Sequence, residues 1–121
     1  MAELDAHLDR LEESPDDAQA LSAAEEIYSN EGRLDELAKL YDSLAAKVAP
    51  TMAANLWVRG AKLYIESLEQ PARAEPYLKQ ALHTDPSDLE ASKILRELYF
   101  NRGALTEGVE LYEKELRSQE A

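Results

Sequence analysis

Residues 50–86 read PTMAANLWVRGAKLYIESLEQPARAEPYLKQALHTDP, a stretch bounded by two prolines and divided near its middle by Gln70-Pro71. Its first half sets Trp57, Gly60, Ala61 and Tyr64 at spacings of three and four. Its second half does the same with Ala74, Leu78, Ala81 and Leu82. Apolar residues at i, i+3, i+4 and i+7 share one face of an α-helix. The spacing therefore predicts two helices, about Met52 to Leu68 and about Ala72 to His83, turning at Gln70-Pro71. Proline fits the first turn of a helix and not its interior, so Pro50 and Pro86 mark the boundaries, with Thr51 expected as the cap after Pro50.

The flanking sequence repeats this arrangement. Prolines at 15, 50 and 86 are spaced by 35 and 36 residues, and Tyr28, Tyr64 and Tyr99 by 36 and 35, so two independent sets of markers share one period. The first unit predicts helices from about Asp17 to Asn30 and Leu34 to Ala49, turning at Gly32. The third predicts Leu89 to Asn101 and Leu105 to Ser118, turning at Gly103. Glycine supplies the left-handed conformation that ends a helix. Ser14-Pro15-Asp16-Asp17 and Asp85-Pro86-Ser87-Asp88 put cap oxygens and negative charge at helix starts, where free N–H groups favour them. Ahead of the first unit, ELDAHLDRLEESPDD (3–17) carries Leu4, Leu8 and Leu11 on one face and matches the second half of a unit.

The composition agrees with an all-helical chain. Leu, Ala, Glu, Lys, Arg and Asp dominate its 121 residues, and no stretch alternates with period two. There are 25 acidic residues against 13 Lys and Arg, a formal net charge of −12. That balance disfavours a nucleic-acid partner, which requires a basic face. The acidic excess is concentrated in residues 1–50, with 13 acidic and 4 basic side chains. A solvated outer face explains it more simply than docking of a basic partner. Cysteine is absent, which removes disulfides and thiolate chemistry. No run of about 18 apolar residues is present to span a membrane, and residues 1–20 lack the apolar segment of a signal peptide. A cytoplasmic location is the expectation.

The order of residues in the second unit, Trp57-x2-Gly60-Ala61-x2-Tyr64 followed by Ala74-x3-Leu78, Ala81-Leu82 and Pro86, resembles the tetratricopeptide repeat. The first unit follows with Leu21-x2-Ala24-x3-Tyr28, Gly32, Leu37-x3-Tyr41 and Pro50, and the third with Leu95-x3-Tyr99, Gly103, Gly108-x3-Tyr112 and Leu116. The resemblance covers residues 17–120. It implies an all-α, right-handed α-α superhelix, a solenoid of about seven antiparallel helices in a single domain, with a half-repeat at 1–16 and repeats at 17–50, 51–86 and 87–121. A plain helical bundle is the alternative. The second unit has one residue more than the pattern between its helices. Glu25 and Arg96 stand where the family has a small residue, as Ala61 does, so these side chains must snorkel or the helix pairs must splay.

No constellation points to catalysis, and no cofactor or metal is expected. His7 and His83 are not at a ligating spacing, RGAK at 59–62 lacks phosphate-loop spacing, and adjacent carboxylates such as Glu12-Glu13 point to different sides of a helix. The aromatic residues Tyr28, Tyr41, Trp57, Tyr64, Tyr77, Tyr99 and Tyr112 read as packing within and between units.

The resemblance implies a concave groove lined by the first helix of each unit: Gln19, Ser22, Glu26 and Ser29, then Asn55, Val58, Lys62 and Ile65, then Glu90, Lys93, Glu97 and Phe100. The candidate site is Asn55, Val58, Arg59, Lys62, Ile65, Lys93, Glu97 and Phe100, an apolar pocket with cations for a carboxylate. The competing reading packs Val58, Ile65 and Phe100 against neighbouring helices and pairs the cations with Glu97 and Glu90. A carboxylate clamp known in the family finds no counterpart, because its places hold Ser22, Glu26, Arg59, Glu90 and Ile94. The expected function is a non-catalytic scaffold binding a protein or peptide segment, a fragment of a longer repeat protein. Alternatives are a structural module that self-associates through the array ends, or a small acidic secretion chaperone of the same repeat type. Val109, Tyr112 and Leu116 form a narrow stripe on the last helix, which is expected to close the array as a cap.

Overall fold

The computed structural model describes residues 2–120, with the side chains of Ala2 and Ser118–Glu120 left aside. Seven α-helices follow one another: α1 (Ala2–Glu13), α2 (Ala18–Asn30), α3 (Leu34–Ala45), α4 (Pro50–Lys62), α5 (Pro71–Thr84), α6 (Leu89–Asn101) and α7 (Leu105–Glu120). A π-helical turn, Leu63–Ser67, extends α4. Each helix packs on the next in sequence, so the protein is an all-α array of consecutive helical hairpins.

Local chemistry places the helix ends. Asp17 and Asp88 cap α2 and α6, their carboxylates accepting from the backbone N–H groups of Ala20 and Ala91 at 3.0 Å each. The hydrogen bond from the Ala20 N–H, with a further contribution from Arg10, holds the Asp17 carboxyl below its ordinary value. The start of α4 differs from the expectation of a Thr51 cap. Pro50 takes the first helical position, Ala49 is the extended residue before it, and Thr51 lies within the helix. Without an aspartate two residues past the proline, the ring itself supplies the first-turn geometry. The residue ahead of a proline is driven to extended backbone. The α3 helix ends at Ala45 and not at Ala49, with a turn over 46–48 leading to the extended Ala49.

The turns within the hairpins show where the extra residue of the second unit resides. Gly32 and Gly103 adopt positive φ, +69° and +80°. In those turns the N–H groups of Arg33 and Ala104 reach the carbonyls of Tyr28 and Tyr99, five residues back, at 2.8 Å. In the middle unit the corresponding bond spans six residues, from Gln70 N–H to Tyr64 carbonyl at 2.6 Å, and the left-handed position is Glu69 at φ 53°. The additional residue is absorbed as the π turn, the usual form of a one-residue insertion in a helix.

Two clusters form a continuous core. The first joins Leu4 and Leu11 of α1 to Ala20, Leu21, Ala24 and Tyr28 of α2, to α3, and to Ala53 and Leu56 of α4. The second joins Ala38 to Ala54, Val58, Ala61 and Tyr64, then to Ala74, Leu78 and Ala81 of α5 and Ala91, Leu95 and Tyr99 of α6. Trp57 and Leu63 pack against both. The three period-marking tyrosines are buried to 6, 9 and 8 % exposure. Each lies beneath a guanidinium, Arg33, Arg73 and Arg102, at 5.1, 5.6 and 5.1 Å from the ring centroid. Among the described residues no helix is long and apolar enough to cross a membrane.

Candidate binding face

The first helices of the three hairpins, α2, α4 and α6, are joined to one another by charged pairs. Arg59 of α4 meets Glu25 of α2 at 2.9 Å, and Lys62 of α4 meets Glu90 of α6 at 2.8 Å. Exposed pairs of this kind contribute about 0–1 kcal/mol each. Their larger effect is on availability: Arg59 and Lys62 already face carboxylates. Lys93 is exposed and has no carboxylate partner among the described residues, so it is the cation on this face free to meet a ligand.

Glu25 also accepts the hydroxyl of Tyr41. Burial, with that hydrogen bond, raises the Tyr41 hydroxyl well above its ordinary value. Glu25, the large residue at the expected small position, sets its carboxylate between Tyr41 of α3 and Arg59 of α4. Arg96, the other large residue at that position, pairs with Glu115 and lies 4.8 Å over the ring of Tyr112. Both positions show long side chains lying along the helix surface with their charged ends satisfied.

Between α4 and α6 runs a cavity of about 340 Å³ whose apolar lining is Ile65, Ile94 and Leu98, with Lys62, Lys93, Glu66, Glu90, Glu97 and Asn101 around it. A neighbouring cavity of about 380 Å³ shares Ile65, Leu98 and Asn101 and extends to Pro71, Ala72, Glu75 and Arg102. Arg102 is held against Glu75 at 3.0 Å. The π turn sets Ile65 into both cavities, so the insertion in the middle unit lies at the site itself.

Four of the sequence-derived site residues meet here: Lys62, Ile65, Lys93 and Glu97. The other four do not. Val58 is 2 % exposed and belongs to the core with Ala91 and Leu95, because this edge of α4 is covered where the next hairpin packs. Phe100 turns away onto α7, where its ring lies over Gly108. Arg59 is engaged by Glu25, and Asn55 is exposed on α4 outside the cavity lining. Val58 and Phe100 thus pack against neighbouring helices and Lys62 pairs with Glu90, as the competing reading has them. Ile94, Leu98 and Asn101 were missed as site residues. They form the ridge at i, i+4 and i+7 beside Lys93 and Glu97, which the helical period of α6 makes readable.

His7 and His83 lie on α1 and α5. Of the aromatic residues read as packing, Tyr28, Tyr41, Tyr64 and Tyr99 are buried. Trp57 and Tyr64 meet Tyr77 edge to face at 5.4 and 5.3 Å. Tyr112 is the exception at 46 % exposure. No protein-family model and no curated protein matches this chain.

Proposed function

We propose that the chain is a non-catalytic interaction scaffold of the tetratricopeptide type, binding a protein segment along the face formed by α2, α4 and α6. The observation that carries this reading is the cavity between α4 and α6, where Ile65, Ile94 and Leu98 stand beside the unpaired Lys93. An apolar floor with a few polar groups is the general composition of a recognition site. The segment that suits it presents an apolar side chain to Ile65 and Leu98, with a carboxylate within reach of Lys93. The repeat order of Trp57, Gly60, Ala61, Tyr64 and their counterparts supports the family, and the consecutive hairpins agree with it.

Selection of a displayed random-peptide library on the protein tests this. The expected result is enrichment of sequences pairing an acidic with a bulky apolar residue. Their affinity should fall at least about tenfold in Lys93→Glu and in Ile94→Ala, the size expected for loss of one good contact of about 1.4 kcal/mol, with circular dichroism unchanged. No enrichment, or equal binding to both variants, removes this face from the account.

A further inference from the structure

Among the described residues, every large apolar side chain that stays 40 % or more exposed lies in α6 or α7: Leu89, Phe100, Leu105, Val109, Tyr112 and Leu116. Four of them, Leu105, Val109, Tyr112 and Leu116, stand on α7 at steps of four, three and four, a single stripe along the helix. The sequence expectation was that this stripe turns inward and lets α7 act as a cap. Gly108, Leu111 and Glu115 turn inward instead: Gly108 is buried against Phe100, Leu111 packs on the second core cluster, and Glu115 receives Arg96 and Ser92. The stripe lies one residue round the helix and faces outward.

The interior of the same molecule shows what such a face is for. At matching steps α3 carries Leu34, Ala38, Tyr41 and Ala45: Ala38 is buried in the cluster with Ala54, Val58 and Leu78 of the following hairpin, and Tyr41 and Ala45, 3 and 7 % exposed, share a cluster with Ala53 and Leu56 of α4 and with α1 and α2. The α7 stripe is the corresponding packing surface, left exposed apart from the ring of Tyr112, over which Arg96 lies. The other end of the array is unlike it. The exposed side of α1 carries Glu3, Asp5, Asp9, Glu12 and Glu13, so stacking α1 of one copy on α7 of another would press acidic side chains onto an apolar face.

We infer that the α7 stripe pairs with itself, joining two copies of this chain about a two-fold axis with their α7 helices antiparallel. This inference is independent of the concave-face reading. An antiparallel register centred between Val109 and Tyr112 sets Leu105 of one copy opposite Leu116 of the other, and Val109 opposite Tyr112, a small side chain against a large one on both sides. It also sets Glu113 nearest Thr106 of the other copy and not another carboxylate. Such a contact is isologous and closes at two, whereas head-to-tail stacking would not close. With Phe100 at its edge, the stripe presents roughly 400–500 Å² of apolar surface, the size of the largest patch on a typical monomer, which is often functional. Two such faces bring together about 800–1,000 Å² of apolar surface, the size of a small, weakly associating interface.

Sedimentation velocity on the whole chain, from micromolar to about 1 mM, provides the test. The expected result is a reversible monomer–dimer equilibrium with no larger species, weakened at least a hundredfold by Val109→Glu combined with Leu116→Glu. Because both positions are exposed, helicity should be unchanged. In a second measurement, Val109→Cys with Tyr112→Cys, in a chain otherwise free of cysteine, should oxidise to a covalent dimer, while either substitution alone should not. A monomer at about 1 mM overturns the two-fold and leaves the face to a partner other than this chain. A dimer indifferent to the glutamates, or a ladder of higher oligomers on oxidation, overturns it equally.

Discussion

The ring of Tyr77 occupies the space that a side chain at Gly60 would need: a Cβ built there lies 2.6 Å from both Cδ2 and Cε2. The ring cannot easily withdraw. Its hydroxyl donates to Asp42 Oδ2 at 2.9 Å, and its faces and edges are set by Trp57 and Tyr64. Gly60 thereby fixes how closely α4 and α5 approach. Gly60→Ala is expected to destabilise the protein by about 1–2 kcal/mol. The overpacking cost exceeds the roughly 1 kcal/mol of helix propensity that alanine adds. Urea unfolding checks this, and adding Tyr77→Leu should make the alanine far less costly, a non-additive pair.

Gly108→Ala should have the opposite sign. A Cβ there meets Phe100 Cε1 at 2.7 Å, nearly the same clash. Phe100, however, is 40 % exposed and can swing toward solvent. The expected result is a gain of up to about 1 kcal/mol from helix propensity, read as a rise in the urea midpoint with the slope unchanged.

Replacing Glu25 by the small residue that Ala61 supplies in the middle unit should destabilise the protein. Glu25→Ala leaves the hydroxyl of Tyr41, itself 3 % exposed, without its acceptor. An unsatisfied buried hydroxyl costs about 1–3 kcal/mol. Arg59 returns to water at little cost. Combining Glu25→Ala with Tyr41→Phe should recover most of the loss, and a double-mutant cycle in urea measures it.

At Glu69, φ is 53°, where the flanking turns use glycine at +69° and +80°. Left-handed backbone costs a side chain about 1–2 kcal/mol, part of which a glycine returns through unfolded-state entropy. Glu69→Gly should stabilise by roughly 0.5–1 kcal/mol, seen as a higher thermal midpoint. A drop would mean that the Glu69 side chain holds the π turn.

Alkaline pH should loosen the hairpins. Burial, then hydrogen bonds to carboxylates, raises the hydroxyls of Tyr41 and Tyr77 well above the ordinary 10.0, and burial raises Tyr28 in the same direction. The folded state keeps protons that the unfolded chain releases, so this contribution to stability is whole below pH 10 and is lost as pH rises through the folded values. Circular dichroism in urea at stepped pH should show the midpoint falling above pH 10, less steeply in Tyr77→Phe.

Much of the fold was legible because it rests on local signals that recur. Pro15 and Pro86 stand two residues before aspartate caps, and Tyr28, Tyr64 and Tyr99 mark one buried position three times. The start of α4 was misread because its proline has no such aspartate, and proline alone serves two registers. The site was half legible. A stripe counted from each tyrosine finds Lys62, Ile65, Lys93 and Glu97, since those positions depend on helical phase alone. Val58 and Phe100 depend on which neighbouring helix covers them, and that follows from how hairpins stack. The stripe of α7 failed for the same reason: periodicity does not say which side of a stripe turns inward.

The one-residue insertion in the middle hairpin also bears on how this chain can be recombined. The caps Asp17 and Asp88, the tyrosines Tyr28 and Tyr99, and the turn residues Gly32 and Gly103 stand at one constant offset, and α2 and α6 are both 13 residues long. The first helices and turns of the outer hairpins are therefore of equal gauge, although α3 and α7, at 12 and 16 residues, are not. The middle hairpin is a part of different gauge. Spliced into either outer place it would bring its π turn, and the hollow around Ile65, along with it.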